Sequence, residues 1–354
     1  MTRPAPLRPL SELKNIQSIS QLVPGKFIYL VLNGDGDTLV VKNENHPGDA
    51  PTVASAFATM AKVSPGGEAK LVDARERQEL VTYVNYAIAD LLLGSLPVPQ
   101  FLTDIDEALS SSRDTKWMKM RQIGNLTTLV DAMNQLQSGA ANRKQGVREF
   151  AALLNGNGGL EALGRMIAID AYNNNLDRFS PVGIMRRDVM QLTEEIAVQD
   201  GPSRTKRRVM VNSGNVFMTF QRGRNLLVGL DNYDPSNGYA LNETIAQGES
   251  RYLDLWAGWI LQDNARAKRW RKTYSELIAL DLDEALGARN RRFSFLKQTR
   301  LDSNAPHRLR AGFKQGTDIV TTELTRLCQG GGGSAGVRDR YRILVKGEGS
   351  PLGR

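Results

Sequence analysis

Apolar and polar residues alternate along two short runs near the start of the chain, a pattern typical of half-buried strands. The runs are Lys26–Leu32 and Thr38–Lys42, and the segment between them, Asn33–Asp37, consists only of Asn, Gly and Asp. Because these residues favour tight turns, we predict an antiparallel hairpin here. A further strand is predicted at Trp117–Ile123 and a short one near Phe101.

The clearest helical periodicity lies in Ala74–Leu93, where apolar residues such as Leu80 and Val84 recur three to four positions apart. Gly94 follows this segment and Pro97 comes soon after, and both residue types end helices. We therefore predict one helix over Ala74–Leu93.

From Leu126 onward the periodicity is mainly helical, and one predicted hairpin, Arg208–Phe220 with Asn225–Leu230, interrupts it. Strands thus dominate the first third and helices the remainder, which predicts an α+β fold of two lobes that meet at a cleft. The order does not fit the βαβ alternation of a parallel sheet. The predicted helices are Leu126–Leu136, Val147–Leu154, Leu160–Tyr172, Arg251–Asp263, Arg266–Leu280, Asp283–Arg291 and Asp318–Cys328.

A length of 354 residues also favours two lobes over one small core. We predict an N-terminal extension at residues 1–25, which is rich in proline, a first lobe at 26–123 and a second lobe at 124–328. The remaining residues, 329–354, begin with a run of glycines and are predicted to form a flexible linker and a tail.

Composition excludes several classes of site. The single cysteine, Cys328, rules out an internal disulfide framework, and the two histidines, His46 and His307, are too far apart in sequence to favour a zinc site. No run reaches the ~18–20 apolar residues of a membrane span, and Met1–Lys14 lacks the apolar core of a signal peptide. We expect a cytoplasmic protein, or one secreted without a signal peptide into a host cell as a bacterial effector.

The formal net charge is +8 and the sequence pI is about 9.6. Such a surface could meet nucleic acid, an acidic protein or an anionic membrane, or simply face solvent. Aromatic residues make up 6% of the chain and do not interleave with the charges, which disfavours a platform for single-stranded nucleic acid. We therefore expect no specific nucleic acid and, if a partner exists, an acidic protein. Basic residues cluster at 204–208, 266–272, 289–292 and 308–314.

Three short segments place carboxylates or carboxamides where an apolar stretch gives way to a turn: Asn175-Leu176-Asp177-Arg178, Asn212-Ser213-Gly214-Asn215 and Leu230-Asp231-Asn232. Phosphoryl transfer from a nucleotide needs such groups, because one carboxylate positions the attacking hydroxyl while an amide oxygen and a second carboxylate hold Mg²⁺. The pattern suggests Asp177 in the first role and Asn215 with Asp231 in the second. Each of the three residues also suits an ordinary turn or helix cap, and that interpretation stays open.

Lys42 ends the second strand of the predicted hairpin, where a lysine can lie beneath nucleotide phosphates. Such a lysine needs a carboxylate partner, and the helix Ala74–Leu93 offers Glu76 and Glu79, of which we favour Glu79. The alternative is that Lys42 is an ordinary cation at the end of a strand and Glu79 a solvated helix residue. The chain contains no Walker-type phosphate loop.

Taken in order, Asn175-x-Asp177-Arg178-Phe179, Gly214-Asn215-Val216-Phe217 and Gly229-Leu230-Asp231-Asn232 resemble the catalytic core of actin-fragmin kinase-like domains. More distantly they resemble the phosphatidylinositol 3/4-kinase group. Val40-Val41-Lys42 is similar to the strand that carries the ATP lysine, and residues 78–99 are similar to helix C and the turn after it. The resemblance covers roughly residues 26–260, and a long insertion separates Asp177 from Asn215.

This resemblance implies a bilobal protein-kinase-like fold with a small β-rich first lobe and a larger, mainly helical second lobe that bind ATP and Mg²⁺. It implies that Asp177 is the catalytic base, that Asn215 and Asp231 are the metal ligands, and that Lys42 and Glu79 anchor the nucleotide. Residues 120–123 would form the hinge that contacts adenine. The expected activity is phosphoryl transfer to a Ser or Thr hydroxyl of a protein, and actin is suggested only by the family name. Two alternatives remain: transfer of AMP or ligation on the same fold, and a basic binding module without catalysis.

Overall fold

An antiparallel sheet of five strands forms the first part of the chain, in the order β1-β2-β3-β5-β4. Its strands are β1 (Ser18–Gln21), β2 (Ile28–Leu32), β3 (Thr38–Glu44), β4 (Lys70–Leu71) and β5 (Lys116–Arg121). The structure is a computed structural model, and it describes residues 9–44, 57–64, 69–111, 116–137, 144–156, 158–173, 175, 178–180, 210–221, 223–230, 260–286, 300–331 and 335–346.

The predicted hairpin of β2 and β3 is confirmed, with Leu32 paired to Thr38. Its turn is held by the buried side chain of Asn33, whose Oδ1 accepts from the backbone N–H groups of Asp35 (3.1 Å) and Asp37 (2.9 Å). Asn33 Nδ2 donates to the carbonyl of Glu12 at 3.0 Å. The asparagine thus replaces backbone partners inside the turn, which is why this residue type favours tight turns.

The helix predicted at Ala74–Leu93 has these same bounds and is named α1. Asp73 caps its first turn by accepting from Glu76 N, while the Glu76 side chain accepts from Asp73 N, so that both form a capping box. The strand predicted near Phe101 is wrong, because this residue lies in a second helix, α2 (Gln100–Ser110). The buried residues Leu102, Ile105 and Leu109 recur at helical spacing, and they join the core shared by α1 and the sheet.

The later part of the chain is mainly helical, and a three-stranded sheet in the order β10-β9-β6 is set among its helices. The predicted hairpin of this sheet is confirmed, with Arg224 opposite Gln221. Its first strand is shorter than the predicted Arg208–Phe220, because a 3₁₀ turn at Ser213–Asn215 separates Met210–Val211 from the hairpin strand that begins at Phe217. A two-stranded ladder joins β7 to β8. These strands are β6 (Leu126–Thr128), β7 (Phe179–Ser180), β8 (Met210–Val211), β9 (Phe217–Gln221) and β10 (Arg224–Val228).

The structure changes the bounds of several predicted helices. The helix predicted at Leu126–Leu136 begins only at Leu129, because residues 126–128 form a strand that pairs with β9. Helix α6 continues beyond the predicted end at Leu280 and includes the start of the helix predicted at Asp283–Arg291, of which residues 287–291 lie outside the described residues. Helix α7 begins earlier than the predicted Asp318. An unpredicted helix, α8, follows the glycine run. The predicted helix at Arg251–Asp263 lies mostly outside the described residues. The helices are α3 (Leu129–Gln137), α4 (Gln145–Asn155), α5 (Gly159–Asn173), α6 (Ala265–Ala285), α7 (Ala305–Gln329) and α8 (Ala335–Leu344).

Helices α5 and α7 pack with their backbones in close approach. Glycines at the contact, Gly164 of α5 and Gly312 of α7, leave no room for a Cβ, because each would collide with backbone atoms of the other helix. Arg308 adds a two-pronged ion pair across the same contact, with Nε and Nη2 each 2.8 Å from an oxygen of Glu161. This packing fixes α5, whose last turn carries the candidate site.

Contacts divide the chain into two compact units. One comprises Met1–Thr59 and Pro65–Ile123 and contains the five-stranded sheet, and the other comprises Met60–Ser64 and Gly124–Arg354. A small antiparallel sheet followed by a larger helical part agrees with the α+β prediction. That these units are the lobes of a kinase stays a prediction. None of the described helices combines the length and the apolar character that a membrane span requires.

Candidate functional site

The residues that follow α5 fold back onto Asp170, which lies in the last turns of that helix and is 2% exposed. Asn175 donates its backbone N–H to the Asp170 carbonyl (2.8 Å) and its side-chain Nδ2 to Asp170 Oδ1 (3.1 Å). Arg178 Nη1 lies 2.8 Å from both carboxylate oxygens. A buried carboxylate is stable only when it is paired and hydrogen-bonded, and Asp170 satisfies both conditions.

Arg178 connects all three of the polar segments that the sequence singles out. Arg178 is 1% exposed. Its Nε donates to the carbonyl of Asn215 (2.8 Å), and its Nη2 donates to the carbonyl of Leu230. Its own carbonyl accepts from Asn212 N at 3.0 Å. One buried side chain therefore holds the segment after α5, the turn before β9 and the end of β10 in a fixed arrangement.

The register of the β9–β10 hairpin explains why two of these segments come together. Val228 pairs with Phe217, so the same register continued by two positions sets Leu230 opposite Asn215. Their two carbonyls then flank a single guanidinium, as the bonds to Arg178 show. The hairpin thus brings the backbone of Asn215 beside that of Leu230, while the prediction that Asn215 and Asp231 lie side by side stays a prediction, because Asp231 lies outside the described residues.

Asn215 ends a 3₁₀ turn, Ser213–Asn215, that precedes β9. Asn212 caps this turn through its side chain, which accepts from Gly214 N at 3.1 Å, and its carbonyl accepts from Asn215 N at 2.9 Å. The next residue, Val216, is buried, and its carbonyl accepts from Leu129 N, the first residue of α3, at 3.0 Å. Asn215 is therefore held on a rigid turn, and its side chain is half-buried.

Two residues of the predicted constellation, Asp177 and Asp231, lie outside the described residues. In the chain, Asp177 directly precedes Arg178 and Asp231 directly follows Leu230. The structure thus establishes the arrangement of their immediate neighbours, while the predicted roles of Asp177 as base and Asp231 as metal ligand stay predictions. Among the residues that it describes, no three His, Cys, Asp or Glu side chains come together as a metal site.

Tyr274 of α6 contacts the segment that contains Arg178. Its Oη donates to the carbonyl of Phe179, the residue after Arg178, at 2.8 Å. Burial, and after it the negative charge of Asp170, raises the pKa of Tyr274 far above its ordinary value. The hydroxyl therefore stays a hydrogen-bond donor at physiological pH, and α6 is tied to the segment that carries Arg178.

In the N-terminal unit, Lys42 lies in β3 opposite Ile28 of β2 and Met118 of β5. Because side chains alternate along a strand, Lys42 shares its face of the sheet with Val40 and Leu30, which are all half-buried. This face joins a cation to an apolar surface, a combination that suits the phosphate and base of a nucleotide. Of the predicted hinge, residues 120 and 121 belong to β5, and contact with adenine stays a prediction.

Glu79 is not the residue that pairs α1 with the sheet. Its Oε2 accepts from the backbone of Asn15 at 3.2 Å, whereas Glu76, one turn earlier, forms a buried ion pair with Lys119 of β5. Glu76 also accepts from Leu13 N at 2.9 Å. Among the described contacts, the ion pair between helix and sheet is thus Glu76 with Lys119, and not the expected Glu79 with Lys42.

The strand pattern explains this difference. Lys119 pairs with Val41, so that both side chains lie on the face that α1 covers, where Val41 joins Leu80 in the core. Lys42 is the next residue after Val41 and therefore faces the opposite side. We retain Lys42 as a candidate nucleotide residue and assign the buried carboxylate of α1 to a role within the fold.

Reasoning from sequence missed Asp170 and Lys119, although both gave a signal. Each is a single charged residue inside an apolar run, Met166–Tyr172 for the aspartate and Trp117–Met120 for the lysine. A charge in such a run is seldom buried unless it is paired, so each pointed to a partner elsewhere in the chain.

This chain matches no model of a protein family, no curated protein and no solved structure at a significant level.

Proposed function

We propose that this protein transfers the γ-phosphoryl group of ATP to a Ser or Thr hydroxyl of another protein. The observation that carries the proposal is the position of Arg178, which binds the backbone on either side of the β9–β10 hairpin end while it directly follows Asp177 in the chain. The three segments whose residue types suit phosphoryl transfer are thus close together at Arg178, Asn215 and Leu230. The kinase resemblance of the sequence supports the same reaction.

The donor set around the hairpin end fits Mg²⁺. Asn215 offers an amide oxygen from a rigid turn, and Asp231 offers a carboxylate next to Leu230, which the register sets across from Asn215. Hard oxygen ligands prefer Mg²⁺, and the chain has one cysteine and two histidines for softer metals. When bound with ATP, the ion would neutralise the phosphates and orient them.

In this proposal the chain contributes orientation and charge. Asp177 accepts a hydrogen bond from the acceptor hydroxyl, aligns its oxygen with the γ-phosphorus, and takes its proton as the new O–P bond forms and the bond to ADP breaks. Lys42 supplies positive charge to the phosphates from the half-buried face of its sheet. Arg178 is a positioning residue that fixes the backbone beside the predicted base.

The substrate in this proposal is an acidic protein, because the chain carries a formal net charge of +8. Actin meets that description, but only the family resemblance suggests it. Location in the cytoplasm, or in a host cell after secretion without a signal peptide, stays an expectation from the sequence.

The direct test is incubation of the purified chain with Mg²⁺, a cell lysate and ATP that carries the label on either the γ- or the α-phosphorus. We expect label from γ-labelled ATP to appear on protein, and the Asp177→Ala and Asp231→Ala variants to lose nearly all of it while keeping their circular dichroism spectra. The matched control Asp90→Ala, at an exposed position of α1, should keep its activity.

Other outcomes assign the protein to the alternatives. Label that arrives only from α-labelled ATP would indicate transfer of AMP, and the mass of the modified peptide would show it. No label from either nucleotide, together with salt-sensitive capture of an acidic protein, would replace the kinase proposal with a binding module.

A further inference from the structure

Helices α6 and α7 run antiparallel and enclose a groove that the proposed phosphoryl transfer does not use. Lys268, early in α6, shares a cavity with Lys314 of α7, while Glu276, later in α6, shares the adjoining cavity with Asn304 at the start of α7. His307 and Arg310 line both cavities, so the two form one groove. Each cavity has a volume of about 280 Å³.

Basic side chains come to this groove from both helices. Lys268 and Lys272 are four residues apart on α6, and Arg310 and Lys314 are four apart on α7. Residues with this spacing have Cβ atoms about 5–6 Å apart on one face of a helix. Two facing rows of cations at this distance suit a ligand that bears several anionic groups close together.

A buried arginine adds to the charge of the groove. Arg271 lines the first cavity and is 4% exposed, and its Nη1 donates to the carbonyls of Ile260 (2.5 Å) and Gln262 (2.8 Å). Desolvation lowers the pKa of Arg271, since burial disfavours the charged form. An anion bound in the cavity would stabilise the charged form of Arg271 and so offset the effect of desolvation on its pKa. A guanidinium is also the side chain best matched to phosphate oxygens.

The acidic residues near the groove do not block it. Asp263 pairs with Lys268 at 2.9 Å and Asp318 pairs with Lys314 at 2.7 Å, and all four side chains are more than half exposed. Exposed ion pairs of this kind contribute little free energy, so an anion of higher charge can displace the two carboxylates from the lysines. Glu276 at the far end of the second cavity limits the basic stretch to the middle of the groove, around Lys272 and Arg310.

We propose that the α6–α7 groove is a binding site for a compact, multiply phosphorylated small molecule. The concave shape and the small volume favour such a ligand over a nucleic-acid duplex, and among the described residues that line the cavities there is no Phe, Tyr or Trp and only one aromatic ring, the His307 imidazole, on which a base could stack. The site lies within the described residues of the C-terminal unit and is separate from the segments that Arg178 holds together. The inference therefore does not depend on the kinase proposal.

Isothermal titration of the full chain with sodium tripolyphosphate, at constant ionic strength, tests this site. We expect saturable binding that the double variant Lys272→Gln/Arg310→Gln weakens at least tenfold. Arg269→Gln is the matched control, because Arg269 is an exposed cation of α6 that lines neither cavity, and it should change the affinity less than twofold.

Three results would overturn the proposal: no saturable binding, an equal loss in Arg269→Gln, or tighter binding of a single-stranded oligonucleotide through Lys272 and Arg310. The last result would identify a nucleic-acid groove instead. Because the readout is binding and not label transfer, failure of this site and failure of the kinase proposal are distinguishable.

Discussion

The guanidinium of Arg178 and the carboxylate of Asp170 form a buried ion pair at 2.8 Å, with side chains that are 1% and 3% exposed. Burial removes both charges from water, and their attraction offsets that cost only when further hydrogen bonds complete the geometry. Here Asn175 supplies a second donor to Asp170, and two backbone carbonyls accept from Arg178. The pair is thus the centre of a satisfied network that fixes the candidate site.

Removal of one partner should therefore be costly. In Asp170→Asn the buried charge of Arg178 loses its counter-ion, and we expect the free energy of unfolding to fall by about 3–5 kcal/mol. Urea denaturation measures the loss. Asp318→Asn is the control, because it removes an exposed pair with Lys314 and should change stability little. If both variants are equally stable, Asp170 does not have this role.

A second buried pair, Glu76 with Lys119, offers a comparison within one helix. Glu76→Gln leaves the Lys119 ammonium buried without a carboxylate, so we expect a loss of about 3–5 kcal/mol in the free energy of unfolding. Glu79→Gln, one turn along α1, removes a carboxylate that accepts from Asn15 N in an exposed setting, and it should cost far less. Thermal and urea unfolding of the two variants, measured side by side, gives the two losses of stability. If Glu79→Gln loses more stability than Glu76→Gln, the assignment of Glu76 as the partner of Lys119 is wrong.

The elements that could be predicted from sequence are those whose local signals agree. Helix α1 has periodic apolar residues, an Asp73 cap and Gly94 at its end, and the prediction gave both bounds. Where the signals are short or conflict, the prediction fails. Near Phe101 the sequence analysis predicts a short strand, but Leu102, Ile105 and Leu109 recur at the spacing of a helix.

The later helices illustrate the same limit. The prediction ends one helix at Leu280 and begins the next at Asp283, in a stretch where Asp281 and Asp283 stand close together. In the structure the helix continues through this point, and Leu282, which lies between the two aspartates, is buried. Packing of one apolar residue thus outweighs the local preference of its polar neighbours.

The candidate site was predictable only as a set of polar turns. Asn215 and the segment around Arg178 could be found because each stands at the end of an apolar run. What joins them could not be found, because Asp170 acts through a partner eight positions away and Arg178 through carbonyls at Asn215 and Leu230. Backbone carbonyls carry no signature in a sequence, so contacts of this kind appear only in the folded chain.

The ion pair between α5 and α7 should make stability depend on pH in the acid range. Hydrogen bonds from Arg308 lower the pKa of Glu161 below its ordinary value. A lowered pKa in the folded state means that the pair contributes fully above the unfolded pKa of about 4.3, and that the contribution is lost as the pH falls through the folded pKa. We expect Glu161→Gln to be less stable than the wild type at neutral pH and the gap to narrow as the pH falls below that unfolded value.

The measurement is the urea midpoint of both proteins across that range. Glu323→Gln serves as the control, because Glu323 pairs with an exposed arginine, Arg326, within a single helix. Its difference from the wild type should be small at every pH. A gap for Glu161→Gln that stays constant from neutral to acid pH would contradict the assigned role of the Glu161 carboxylate.

Loss of the hydroxyl should change the free energy of unfolding differently at two buried tyrosines, Tyr274 and Tyr29. Tyr274 donates to the carbonyl of Phe179, so Tyr274→Phe leaves that carbonyl without this donor and should cost about 1–3 kcal/mol. The hydroxyl of Tyr29 is buried and has no hydrogen-bond partner among the described residues, so Tyr29→Phe should be neutral or stabilising.

The pH dependence of Tyr29 gives an independent check. Burial, with a smaller effect of Asp104, raises the pKa of Tyr29 to about 12. Its neutral form therefore favours the folded state fully below the unfolded pKa of about 10, and this contribution is lost as the pH rises from there towards the folded pKa. Across that alkaline window the wild type should lose more stability than Tyr29→Phe in urea denaturation. Equal losses, or a strongly destabilised Tyr29→Phe, would mean that the hydroxyl has a partner that the fold depends on.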